Sequence, residues 1–125
     1  MSDSSSTPDL DLSFLYDIAD GSNEFIVESI DMLLQQAPES LQDIDESIQT
    51  KDWVAAAAAA HKLKPSMGFF GMLVCQELLQ EVELLCKAGG QEPVQIASKF
   101  NQAKEIIGVN LKSLIRIKAE KEAGL

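Results

Sequence analysis

The chain has 125 residues, 46% of them apolar, and a net charge of −10. That length suits one domain, able to bury roughly two thirds of its unfolded surface, and the apolar share excludes disorder. The acidic balance argues against nucleic acid as a partner, because like charges repel. No apolar run is long enough to span a membrane, and the polar start MSDSSSTPD has no signal-peptide core, so the cytoplasm is the expected compartment.

Helix-forming residues dominate, and glycine and proline are sparse. Residues 1–9 read as a flexible Ser-rich tail, and residues 10–120 as the folded domain. A short helix is predicted from about Asp11 to Ala19, with Leu12, Leu15 and Ile18 on one side, ended by Asp20-Gly21. Ser22 or Asn23 then caps a long helix whose stripe is Ile26, Ile30, Leu33, Leu34, Ala37, Leu41, Ile44 and Ile48. The stripe keeps phase across Pro38, which predicts one kinked helix rather than two. Residues 1–50 contain no Lys or Arg. This acidic half serves as a solvated surface or steers a partner with a basic face.

Asp52 caps the next helix, which carries Trp53, the alanines 55–60, His61 and Leu63 and runs to about Phe70. Gly71 ends or bends it. A further helix covers about Met72 to Lys87 and stops at Gly89-Gly90. Cys75 and Cys86 fall on one face of it, about 16 Å apart, too far to pair, and read as small buried hydrophobes. Glu92-Pro93 opens the last helix, with Ile96, Phe100, Ala103, Ile107, Leu111, Leu114 and Ile117 as its stripe. No strand-like alternation appears. The expected fold is all-α: an antiparallel up-down four-helix bundle with a short extra N-terminal helix.

His61 is the single histidine. The core face of its helix is Trp53, Ala56, Ala60, Leu63, Met67 and Phe70, so His61 falls beside that stripe. Its face neighbours are Ala57, Ala58, Lys64, Pro65 and Gly68. Apart from Lys64 they are small, which predicts a partly exposed imidazole with room for a partner. Imidazole is nucleophilic and largely neutral near neutral pH. A cation one turn away, Lys64, would attract a phosphoryl group on the ring. Pro65 deletes the bond to the His61 carbonyl, at a cost of about 3 kcal/mol mid-helix, and predicts a local kink.

The string A-H-K-L-K-P-x-x-G-x-x-G, Ala60 to Gly71, resembles the signature of histidine-containing phosphotransfer (HPt) domains. Ala60, His61, Leu63, Lys64 and Gly71 match in place, and Gly68 stands where a small residue is usual. Pro65 departs, since the family usually has glycine there. Val82-Glu83 lies where the family commonly has Leu-Glu, and Lys87 where it often has a basic residue. The resemblance covers about residues 10–118.

It implies a carrier without kinase activity of its own. His61 would accept a phosphoryl group from a receiver-domain aspartate in a multistep two-component phosphorelay and pass it to another receiver. Lys64 would stabilise the group, and Ala57, Pro65, Gly68 and Gly71 would shape the site. Response-regulator receiver domains and a hybrid histidine kinase would be the partners, with Mg²⁺ supplied by the receiver and no cofactor or metal held by the chain. Phe25 and Met32, seven apart on the long helix, are candidate docking residues or else complete the core. Two other readings compete: a helical adaptor in which His61 is incidental, and an enzyme using His61 as general base. The adaptor does not need Lys64 beside His61, and the alanine-rich surroundings offer an enzyme few polar groups. The initial Met and the length favour a stand-alone protein over a fragment of a hybrid kinase.

Overall fold

A computed structural model describes residues 9–125. It contains five helices: α1 (Ser13–Ala19), α2 (Asn23–Gln49), α3 (Trp53–Phe69), α4 (Leu73–Lys87) and α5 (Pro93–Ala123). Short turns reverse the chain between α2, α3, α4 and α5. Each packs on the next, and α5 returns to α2, closing an antiparallel four-helix ring with α1 beside α2.

The predicted stripes form the core. Ile30, Leu33, Ile44, Leu63, Met67, Leu79, Ile96, Phe100, Ile107 and Leu114 are fully or almost fully buried. Each such side chain contributes about 1.5–3 kcal/mol by leaving water. Leu34, Leu41, Leu111 and Ile117 lie at the margin of that core, partly buried. Pro38 and Pro65 are accommodated inside continuous helices. The Ser22 hydroxyl accepts from Phe25 N–H at 3.1 Å, and Asp52 Oδ1 accepts from Ala55 N–H at 3.1 Å, so both predicted caps are in place. Both cysteines are free and buried on α4, and burial pushes their thiols up.

Two expectations at the N-terminus need correction. Ile18 is exposed, and Ala19 joins Leu12 and Leu15 in the core. The helix is only seven residues long and ends at Asp20 in the left-handed region (φ 49°), so the 12–15–19 spacing sets its face. The expected tail 1–9 is also too long. Residues 1–8 lie outside the described residues, but Asp9 is built into the fold. Its carboxylate accepts from Val74 N–H at 3.0 Å and Cys75 N–H at 2.9 Å, and Asn110 Nδ2, fully buried on α5, donates to its carbonyl at 2.8 Å. The first turn of α4 has no side-chain cap from its own N-cap residue, Met72. Asp9 supplies one from a distant part of the chain, satisfying donors that the helix leaves unpaired.

Candidate functional site

The alanines of α3 give it a thin profile, and α4 packs closely alongside. His61 stands on the outer edge of that contact, with its side chain 68% exposed. Opposite it, α4 turns a carboxylate inward: Glu83 sits on the helix's buried face with Leu79, Val82 and Cys86 and is only 3% exposed. Glu83 Oε2 lies 3.0 Å from His61 Nδ1.

Two lysines flank the same carboxylate. Lys64 Nζ is 2.8 Å from Oε1, and Lys87 Nζ, one turn along α4, is 2.8 Å from Oε2. Lys64 also donates to Gln80 Oε1. Burial pushes the Glu83 carboxyl up, but the Lys64 and Lys87 ammonium groups more than reverse this and hold it down to about 2. Glu83 is therefore ionised at neutral pH and can only accept. Nδ1 must then carry a proton and donate it to Oε2, which fixes the tautomer of the neutral imidazole. That assignment leaves the lone pair on Nε2, the nitrogen turned away from Glu83.

Beside His61, a groove of about 830 Å³ runs between the start of α3 and the end of α4. Trp53, Val54, Ala57, Ala58 and Cys86 supply its apolar lining, and Glu83 and Lys87 its polar side. Gly89 lines one end, and the next residue, Gly90, has φ +67° and packs against the Trp53 indole so closely that a Cβ would collide with it.

The structure separates the residues singled out from sequence. It brings His61 and Lys64 together through Glu83, with Lys64 pinned in the cluster rather than free in solvent. Ala57 is turned into the core and reaches the groove only with its edge, while Ala58 is exposed. Pro65 is exposed and Gly68 half-buried further along α3. A Cβ at Gly68 would touch the end of the Gln76 side chain. Gly71 does not shape the His61 surface. It has φ +69° and packs against the Asp11 carbonyl so closely that a Cβ has no space, so it joins the α3–α4 turn to the N-terminal segment.

Phe25 and Met32 are exposed and do not complete the core. Ser66 Oγ donates to Gln36 Oε1 at 3.2 Å, which fixes the antiparallel register of α2 and α3. His61 is therefore level with Leu41. Met32 and Phe25 lie about 14 and 24 Å from that level along the axis, towards the end of α3. Sequence reasoning missed Glu83 and Gln80 as site residues and left Lys87 outside the site. The available signal for Glu83 was an acid at a core position of the α4 stripe.

The Hpt domain family model matches residues 28–107. The phosphorelay intermediate protein rdeA of Dictyostelium discoideum is 27% identical over 81 residues, which is 65% of this chain and 32% of that protein. The chain thus spans about a third of that relative's length. In fold, it is similar to the HPT domain from an Hpt sensor hybrid histidine kinase of Shewanella. The TM-score is 0.67 at 20% identity, covering 90% of this chain and 95% of that one. With the family model matched over most of its length, and the single histidine standing on a bundle of the same fold, the chain belongs to the Hpt domain family.

Proposed function

We propose that this domain carries a phosphoryl group on His61 Nε2 in a phosphorelay, between receiver domains and without kinase activity of its own. The observation that carries the reading is the 3.0 Å contact from Nδ1 to the buried Glu83 carboxylate, which in the neutral imidazole puts the proton on Nδ1 and the lone pair on the solvent-facing Nε2.

In the forward step, the Nε2 lone pair attacks the phosphorus of a receiver's aspartyl phosphate. The P–O bond to the aspartate breaks, and its electron pair stays on the carboxylate. Nε2 holds no proton in this tautomer, so none has to leave. The imidazole gains positive charge, which Glu83 offsets through the retained Nδ1–H. Transfer to a second receiver is the same step reversed. The receiver brings the Mg²⁺ and most of the groups around its own aspartate. Lys64 acts mainly by keeping Glu83 ionised.

A receiver needs low, partly apolar ground around His61. Such ground runs along α3 through Pro65 and Gly68 to Phe69, against which the exposed Phe14 of α1 packs edge-on at 5.6 Å. A surface of about 800 Å² per partner would extend from His61 to this end, with Met32 and Phe25 at its outer rim. A general-base enzyme is less well supported. The residues lining the groove include no Ser or Thr hydroxyl, and burial raises the Cys86 thiol away from its reactive form. No helix of the described residues is long and apolar enough to cross a membrane, and the reading places the domain in the cytoplasm with its receivers.

The test is incubation with a phosphorylated receiver and, separately, with phosphoramidate. The unmodified chain should gain an acid-labile, base-stable label from both, and His61→Gln should gain none while keeping its helical circular dichroism. Labelling that persists in His61→Gln overturns the assignment.

A further inference from the structure

Glu83 holds two ammonium groups on different oxygens, and the two lysines are not equivalent. Lys64, on Oε1, has Gln80 as a second partner and a side chain only 19% exposed. Lys87, on Oε2, has Glu83 as its ion-pair partner and is 61% exposed. Oε2 is also the oxygen that faces His61 Nδ1, so Lys87 Nζ and the imidazole share one acceptor atom. Lys87 and His61 line the same groove, and Lys64 does not. One buried carboxylate thus balances two cations, and the surplus charge lies on the open side, beside the imidazole.

Resting on the reading of His61 as the phosphoacceptor, we propose that Lys87 is the cation that closes on the phosphoryl group. When Nε2 is phosphorylated, the Lys87 ammonium leaves Oε2 and pairs with phosphoryl oxygens across the mouth of the groove. Lys64 stays on Oε1 and keeps Glu83 ionised.

Reach, cost and charge all favour this division. Lys87 has a flexible four-carbon stem and shares an acceptor with the ring, so a rotation of its own side chain brings it to the far nitrogen. Lys87 reaches the buried carboxylate from the solvent side, so its ammonium can leave and remain hydrated, and its departure leaves Oε2 with the Nδ1–H it already accepts. Withdrawing Lys64 would be far more costly. Oε1 is buried with no aligned hydrogen bond and depends on the Lys64 charge alone. A phosphoryl group also carries up to two negative charges against one on the carboxylate, so it is the stronger attractor for whichever cation is free to move.

The experiment follows the phosphorus resonance of the phosphoramidate-labelled chain against pH, in the unmodified protein and in Lys87→Gln, Lys87→Arg and Lys64→Gln. A nearby cation favours the doubly charged phosphoryl and lowers the midpoint of its last ionisation. Lys87→Gln should raise that midpoint by about half a pH unit or more. Lys87→Arg should restore it, and Lys64→Gln should move it less. Lys87 is exposed in the last turn of α4, so its replacement spares the core, and circular dichroism checks this. An unmoved midpoint in Lys87→Gln, or a larger shift in Lys64→Gln, overturns the assignment. If the unmodified chain takes no label at His61, the phosphotransfer reading itself fails and Lys87 with it.

Discussion

His61 and Glu83 are 22 residues apart in sequence, on facing helices, yet Nδ1 and Oε2 meet at 3.0 Å. The acceptor is buried and ionised while the imidazole is exposed, so a rigid group aims a mobile one. Glu83→Gln should loosen that aim, because an amide can present either its oxygen or its NH₂ to the ring. Nitrogen chemical shifts should show one tautomer, Nδ1–H, in the unmodified protein and a mixture in the variant. Labelling by phosphoramidate should slow by about tenfold, the worth of one charged hydrogen bond. A single tautomer in Glu83→Gln would show that something else orients the ring.

The same carboxylate makes stability depend on acid. Its folded value, about 2, lies below the ordinary 4.5, so the folded protein holds the proton less well than the unfolded chain. The contribution is complete above about pH 4.5, falls as the pH drops, and is gone below about 2. Urea midpoints measured across that window should fall more steeply for the unmodified protein than for Glu83→Gln. Parallel curves would mean that Glu83 titrates alike in both states.

Lys64→Ala should slow transfer several-fold without abolishing acceptance. It removes one of two cations from a buried carboxylate that still has Lys87. The loss should appear with a receiver and with phosphoramidate alike, since it acts on the imidazole's holder rather than on docking. A loss confined to receivers would place Lys64 at the interface instead.

Gly68→Gln tests the docking path along α3. The added side chain meets the end of Gln76, which is half-exposed and free to turn away, so the core is spared. Transfer from a receiver should be suppressed while phosphoramidate still labels His61. Met32→Arg and Phe25→Arg should have smaller effects, in keeping with their distance from His61 along α2. Equal loss with both donors in Gly68→Gln would indicate a damaged site.

Much of this architecture was legible from periodicity alone. The stripes of α2 and α5, the caps at Ser22 and Asp52 and the exposed position of His61 follow from local spacing, and the structure agrees with them. What escaped was tertiary. Glu83 occupies a stripe position where an apolar residue would be expected, and only the α3–α4 packing shows that His61 and two lysines satisfy it. Gly71 looked like part of the His61 surface because it shares that helix's motif, but its neighbour is the Asp11 carbonyl. Asp9 looked like tail because its partners are 65 residues or more away.

Asp9→Ala should cost about 1 kcal/mol, as for other lost helix caps, and lower the melting temperature by about 4 °C. An unchanged melting temperature would mean that water replaces the carboxylate at no cost.

The Asp9 cap also bears on the order in which the chain can assemble. Its acceptor oxygens need the first turn of α4, and its carbonyl needs Asn110 in the middle of α5, so this cap cannot close until both later helices are in place. Until then α4, the helix that carries Glu83 and Lys87, has an open first turn. A segment remote in sequence from His61 thus completes the helix against which His61 is aimed.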